Sequence, residues 1–247
     1  MSVRCVAMVT VIMAAGLTAA CTSPLALRGA RVLEPGELEV IASPKLAVDV
    51  VTVVSGDESA RERALAPDAL FAPEVSVRFG IVDRVDLQLR LDAIALPEVS
   101  VGHQLLGDPT RDDDVAMTLT GGLKLSLLSG LEATGLVHVP MQLLIDLPIT
   151  DVVAVTAGLR VVPSIGVGYL GDSRVGIAAG VLGGVRVKAG AFVFSPELAV
   201  AGNAAAGALS YSFVGNNPVP VGYPLVVALG LNVGGQFDFR SKTSPAL

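Results

Sequence analysis

Tryptophan is absent from the 247-residue chain, and histidine and cysteine occur twice each. Two of each would just suffice for a zinc site, but Cys5 falls in an N-terminal segment read below as a cleaved signal, and its loss excludes a zinc site and a catalytic cysteine. Charge is scarce as well. Asp, Glu, Lys and Arg together make up 16% of the residues, against about 25% in ordinary soluble domains. The balance is acidic, with a net charge of -6 and a pI near 4.9, the wrong sign for a nucleic-acid partner. Beyond the N terminus no apolar run approaches the roughly 20 residues that a membrane helix needs. Apolar residues are nonetheless abundant, at 52% with a mean hydropathy of +0.67, which excludes intrinsic disorder. This apolar excess belongs to something other than a helix bundle.

Part of it is an export signal. Residues 1–20 carry one charge, Arg4, followed by an apolar-to-neutral run, the layout of a secretory signal peptide. The segment closes with Leu17-Thr18-Ala19-Ala20-Cys21. Small residues before a cysteine resemble the lipobox of bacterial lipoproteins, with Thr18 in the place usually held by Leu. The resemblance implies cleavage before Cys21 and covalent lipid on that residue. Cys5 leaves with the signal, and Cys21 then has no partner for an intramolecular disulfide. Thr22 follows the cysteine, which in lipoproteins permits transfer to the outer membrane.

The rest of the chain is patterned with a period of two. Arg84, Asp86, Gln88, Arg90 and Asp92 alternate with Val85, Leu87, Leu89 and Leu91, so a strand here has one polar and one apolar face. Glu74, Ser76 and Arg78 alternate likewise with Val75, Val77 and Phe79, and the short connection around Asp83 makes the two runs a hairpin. Similar runs cover residues 115–128, 132–147, 152–162, 174–187, 191–202 and 224–239, with a fainter one over 37–54. Residues 198–237 contain no charge, yet Gly202, Gly207, Gly215, Pro218, Pro220 and Gly222 break any helix there.

Connections near Asp83, Gly130, Thr150 and Gly190 are short, whereas residues 55–72, 96–114 and 203–223 form long loops. Short turns at one end and long loops at the other are the asymmetry of outer-membrane barrels. Phe79, Phe192, Phe194, Phe237 and Phe239 lie by the short turns or the C terminus. Phe71, Tyr169, Tyr211, Phe213 and Tyr223 lie by the long loops. Two such bands suit the two membrane interfaces. Taking residues 132–147 as one strand disturbs the order of turns and loops. A break at Pro140 restores it and gives ten strands, with eight and twelve as neighbouring even counts.

The stretch Pro73-Glu74-Val75-Ser76-Val77-Arg78-Phe79-Gly80-Ile81-Val82-Asp83-Arg84-Val85-Asp86-Leu87 resembles the recurring hairpin of small bacterial outer-membrane β-barrel proteins. That resemblance implies an all-β fold, a closed antiparallel up-and-down membrane barrel in the bacterial outer membrane. The expected organisation is a signal peptide (1–20), a lipidated linker (21–36), the barrel (37–240) and a short tail (241–247).

No catalytic constellation emerges, and no cofactor is expected. His138 with Ser126 or Glu132 is the only arrangement that could be cast as a lipid-modifying site. The Asp112-Asp113-Asp114 run lacks the spacing of a calcium loop. The Gly180–Gly184 region lacks the strand-to-helix setting of a nucleotide loop; its glycines relieve crowding in a narrow barrel. The candidate functional set is therefore the polar face expected to line the lumen: Arg78, Arg84, Asp86, Arg90, Asp92, Lys124, Glu132, His138, Arg160, Arg186 and Glu197. Such a set either plugs and stiffens the barrel or lines a conduit for small polar solutes. The expected role is structural, adhesive or that of a narrow pore, with outer-membrane lipid as the main partner. The competing reading is a lipid-anchored soluble barrel around a hydrophobic ligand.

Overall fold

The computed structural model describes residues 25–50, 58, 71–92, 97–128, 134–167, 173–205, 212–214, 217–219 and 225–240. The expected signal segment, Cys21, Glu132 and the C-terminal tail lie outside these residues. The strands are β1 (Glu37–Asp49), β2 (Phe71–Val82), β3 (Val85–Asp92), β4 (Glu98–Leu106), β5 (Ala116–Leu128), β6 (Thr134–His138), β7 (Met141–Thr150), β8 (Val153–Val167), β9 (Ser173–Ala189), β10 (Phe192–Ala205), β11 (Ser212–Val214), β12 (Asn217–Val219) and β13 (Val226–Asp238). All but β11 and β12, which pair with each other, belong to one antiparallel sheet.

That sheet is closed. Its order runs β4-β3-β2-β1-β13-β10-β9-β8, then β6 and β7, then β5, which returns to β4. β6 and β7 share one place. Both lie between β5 and β8, β6 against Leu128 to Lys124 and β7 against Gly121 to Ala116. The break falls at Pro140, which has no N–H to give a ladder. Eleven stretches thus make a barrel of ten staves, and closure leaves no open edge.

The ten staves are not those read from the sequence. Residues 98–106 form β4 where the sequence suggests a loop, and the break at Pro140 interrupts one stave without reversing the chain. The two differences cancel in number. They also exchange two connections: the chain leaves β4 for β5 at the end with the short turns, and leaves β5 for β6 at the opposite end. β4 is weakly marked because Gly102 on its inner face and His103 on its outer face dilute an otherwise regular alternation.

The turn end gathers the tight connections β2–β3, β7–β8 and β9–β10 with the β4–β5 loop and the outer ends of β1 and β13. Arg84 turns the first with a φ of 62° and Gly190 the third with 61°. Thr150 Oγ1 accepts the N–H groups of Val152 (3.3 Å) and Val153 (3.1 Å) in the second. The β1–β2, β3–β4, β5–β6, β8–β9 and β10–β13 connections leave at the other end, the loop end.

Side chains sort with the pleat. Outward residues are apolar and exposed, among them Val101, Leu123, Leu159, Val181, Leu198 and Leu231. Inward residues are polar and buried, among them Glu39, Ser76, Gln88, Thr118, Gln142 and Asn232. This is the reverse of a water-soluble barrel. Phe79, Phe192, Phe237 and Phe239 are exposed at the turn end. Of the expected loop-end band, Tyr169, Tyr211 and Tyr223 lie outside the described residues.

Candidate functional site: a lumen filled by the N-terminal strap

Residues 25–33 lie inside the barrel, with all but Arg31 buried. The sequence reading assigns them to a linker. They form no strand, so their backbone polar groups need partners elsewhere. The barrel wall supplies them. Glu197 on β10 accepts the N–H of Ala26 at 2.8 Å and of Leu27 at 3.1 Å. Two successive N–H groups converging on one carboxylate form an anion-binding nest. Leu27 sits there with a φ of 54°, an unusual conformation for a branched residue. Asn232 adds a third donor to Glu197 at 2.7 Å.

Asp146 on β7 repeats the arrangement. Its Oδ2 accepts Ala30 N–H at 2.8 Å and Arg31 N–H at 3.4 Å, and its Oδ1 accepts Thr156 Oγ1–H at 2.6 Å. Gln104 Oε1 accepts Val32 N–H at 3.0 Å. Strap carbonyls are matched in turn. Arg90 donates to Leu25 O and Arg78 to Arg31 O, each at 2.8 Å, and Thr118 donates to Ala30 O. Leu25 and Leu27 pack with Ala116, Leu144, Leu182, Ala199 and Ala228 in the small apolar cluster of the interior.

The strap also joins the ionic network. Arg28 pairs with Asp86 at 3.0 Å, Asp86 with Arg78 at 2.5 Å, Arg78 with Glu39 at 2.7 Å, and Glu39 with Arg186. Lys45 and Arg90 both reach Glu74 at 2.5 Å, and Arg160 reaches Glu98 at 3.0 Å. Each of these buried charges thus has a partner of opposite sign, as burial demands. Glycines give the strap room. A Cβ on Gly80 would lie 1.9 Å from Glu34 O, and one on Gly102 would lie 2.6 Å from the Arg28 guanidinium.

At the turn end the acidic loop folds across the mouth. Asp112 meets Arg31 at 3.5 Å and Lys188 at 3.0 Å, and Asp113 meets Arg111 at 2.8 Å. The exposed Asp108 carboxyl is held below its ordinary value, first by the Thr110 N–H and then by the Thr110 hydroxyl. A cavity of about 110 Å³ remains between Arg31, Asp112, Asp146, Arg186 and Lys188. Arg240 ties the strap to the C terminus through Glu34, Glu37 and Asp238. Among the described residues no group of His, Cys, Asp and Glu is placed to hold a metal ion.

Of the residues singled out from sequence, Arg78, Asp86, Arg90, Lys124, His138, Arg160 and Glu197 are buried on the inner wall, and Arg186 is largely so. Arg84 is different: it makes the β2–β3 turn, and its carbonyl accepts the N–H of Gln104. A positive φ at a tight turn takes it out of the alternation that its neighbours follow. Asp92 ends β3 opposite Glu74. His138 Nδ1 lies 2.7 Å from Ser164 Oγ; in register it faces Lys124, two positions from Ser126. Sequence reasoning passed over Arg28, Arg31, Glu39, Glu74, Gln104 and Asp146 as site residues. Arg28 and Arg31 stand in an otherwise apolar stretch without a period, closed by Pro35-Gly36 just before β1, and nothing local marks that stretch as a plug.

No family model matches the chain, and no curated protein matches it. Solved structures do. Neisserial surface protein A (NspA) is 13% identical, with 82% of this chain and 96% of that one covered and a TM-score of 0.35. Ail, the attachment invasion locus protein of Yersinia pestis, is 9% identical over 83% of this chain and all of that one, with a TM-score of 0.35. The NanC porin is 11% identical over 80% and 98%, with a TM-score of 0.41.

Proposed function

We propose that this protein is an outer-membrane β-barrel whose lumen is closed by its own N-terminal strap, with a structural or adhesive role exerted from its loop end. The observation that carries the reading is the inside-out polarity of a closed barrel around a buried strap. Leu123, Leu159 and Val181 face outward, where acyl chains solvate them. Arg78, Asp86 and Glu197 face inward, where the strap satisfies them. An export signal over residues 1–20 and acylation of Cys21 belong to the same proposal.

A soluble barrel for a hydrophobic ligand needs an apolar interior, and the interior here is ionic. A pore for small polar solutes needs the strap to leave. A lipid-modifying reaction needs a group open to substrate, and His138 is wholly buried.

Membrane-density fractionation tests the location directly. The expected result is recovery with outer membranes, in a detergent-extracted form whose gel mobility changes on boiling. Recovery of a folded soluble domain after removal of residues 1–21 would overturn the proposal.

A further inference from the structure

The direction of the strap carries a consequence for the N terminus. Leu25 lies toward the loop end. Its carbonyl accepts from Arg90, and its side chain lies against Gly230, which pairs with Lys45 near the far end of β1. Glu34 lies at the turn end. Its carbonyl accepts the N–H of Glu37, the first residue of β1, and Gly36 donates to Gly80 O beside it. The strap therefore runs down the lumen from the loop end to the turn end, and β1 climbs back through the wall.

We infer that the chain ahead of Leu25 leaves through the loop-end mouth, so that the mature N terminus lies on the same side of the membrane as the long loops. From Glu37 to Lys45, β1 climbs about 26 Å at about 3.3 Å per residue. A tilt of about 40° leaves about 20 Å of depth. The four peptide steps from Leu25 back to Cys21 span at most about 14 Å. That is too short to return to the turn end past a lumen already occupied by residues 25–33. It is long enough to reach the level of Asp49 and Val226, where β1 and β13 meet at the loop end. An acyl group on Cys21 would then belong to the leaflet beside the long loops. The wall must also close around the strap, because a lipid-bearing end does not thread a finished barrel.

This rests on the proposed function for two things, which side is the cell exterior and cleavage before Cys21 as the start of the mature chain. The test uses the full chain in intact cells, with one epitope tag per variant. The tag stands between Thr22 and Ser23, within residues 93–96 at the loop end, or at residues 151–152 at the turn end. A membrane-impermeant protease is the probe. The expected result is that the first two tags are cut together while the third is protected. If the N-terminal tag is protected along with the one at 151–152 while 93–96 is cut, the inference is overturned and the membrane reading stands. If all three tags are cut in a soluble fraction, the membrane reading fails and the inference falls with it.

Where a tag blocks export, a paired variant replaces it. Leu25→Cys with Gly230→Cys is expected to form a disulfide that shifts mobility on a non-reducing gel. Its absence in an otherwise folded barrel would contradict the strap's direction.

Discussion

Glu197 and Ala26 stand 171 positions apart in the chain, yet the carboxylate accepts the Ala26 N–H at 2.8 Å in the middle of the barrel. The neighbouring Leu27 N–H reaches the other oxygen at 3.1 Å. Glu197→Gln replaces one of these acceptors with a donor that faces an N–H. A buried donor left without its acceptor costs about 1–3 kcal/mol. The expected outcome is faster hydrogen exchange at Ala26 and Leu27 with the wall ladders unchanged. Exchange that stays slow at both amides would show that Glu197 does not hold the strap.

Asp86 serves two guanidiniums, Arg28 and Arg78. Asp86→Ala deprives Arg28 of its carboxylate while Arg78 keeps Glu39. Breaking such a buried pair costs about 3–5 kcal/mol. Arg28→Ala leaves Asp86 neutralised by Arg78, so its cost is expected nearer the 1.5–3 kcal/mol of a hydrogen bond to a charged group. Urea unfolding of the lipid-reconstituted protein measures both. Equal losses would contradict the shared arrangement.

Gly80→Ala pushes a methyl group into the Glu34 carbonyl, a backbone atom 1.9 Å from the new position. Gly121 has nothing within 4 Å, and Gly121→Ala is the control. The expected result is that Gly80→Ala exposes residues 33–36 to limited proteolysis and Gly121→Ala does not. Identical digestion patterns would show that the close approach is dispensable.

Asp108 tests the turn-end loop by pH. Its carboxyl accepts the Thr110 N–H at 2.9 Å and the Thr110 hydroxyl at 2.8 Å, and its folded pKa is depressed below the ordinary 3.8. A group with a depressed folded pKa contributes order that is present above the unfolded pKa. That order is lost as pH falls through the folded value. Titration of the Asp108 carboxyl by NMR in micelles is expected to centre below 3.8, and Thr110→Ala to move it upward. A midpoint unmoved by that substitution would remove the hydroxyl from the account.

The wall of the barrel was legible in the sequence because a pleat writes its two faces into alternate positions. Residues 74–92 announce β2 and β3 without ambiguity. β4 was missed where Gly102 and His103 weaken the contrast between faces, and Pro140 suggested a reversal where the ladder only skips a rung. The polar inner face was equally legible, but its occupant was not. Residues 25–33 have no period, since an unpaired segment is held by partners from β3, β4, β5, β7 and β10 that lie far away in sequence. Nothing local to Leu-Ala-Leu-Arg-Gly-Ala-Arg distinguishes a linker from a plug. Only closure of the wall around it does so.

The most direct measurement is single-channel conductance in planar bilayers, comparing the full mature chain with a variant lacking residues 25–33. Expected is a full chain that inserts without discrete current steps and a shortened chain that conducts in steps. Stepped conductance of the same size from both proteins would contradict a lumen closed by its own N-terminal strap.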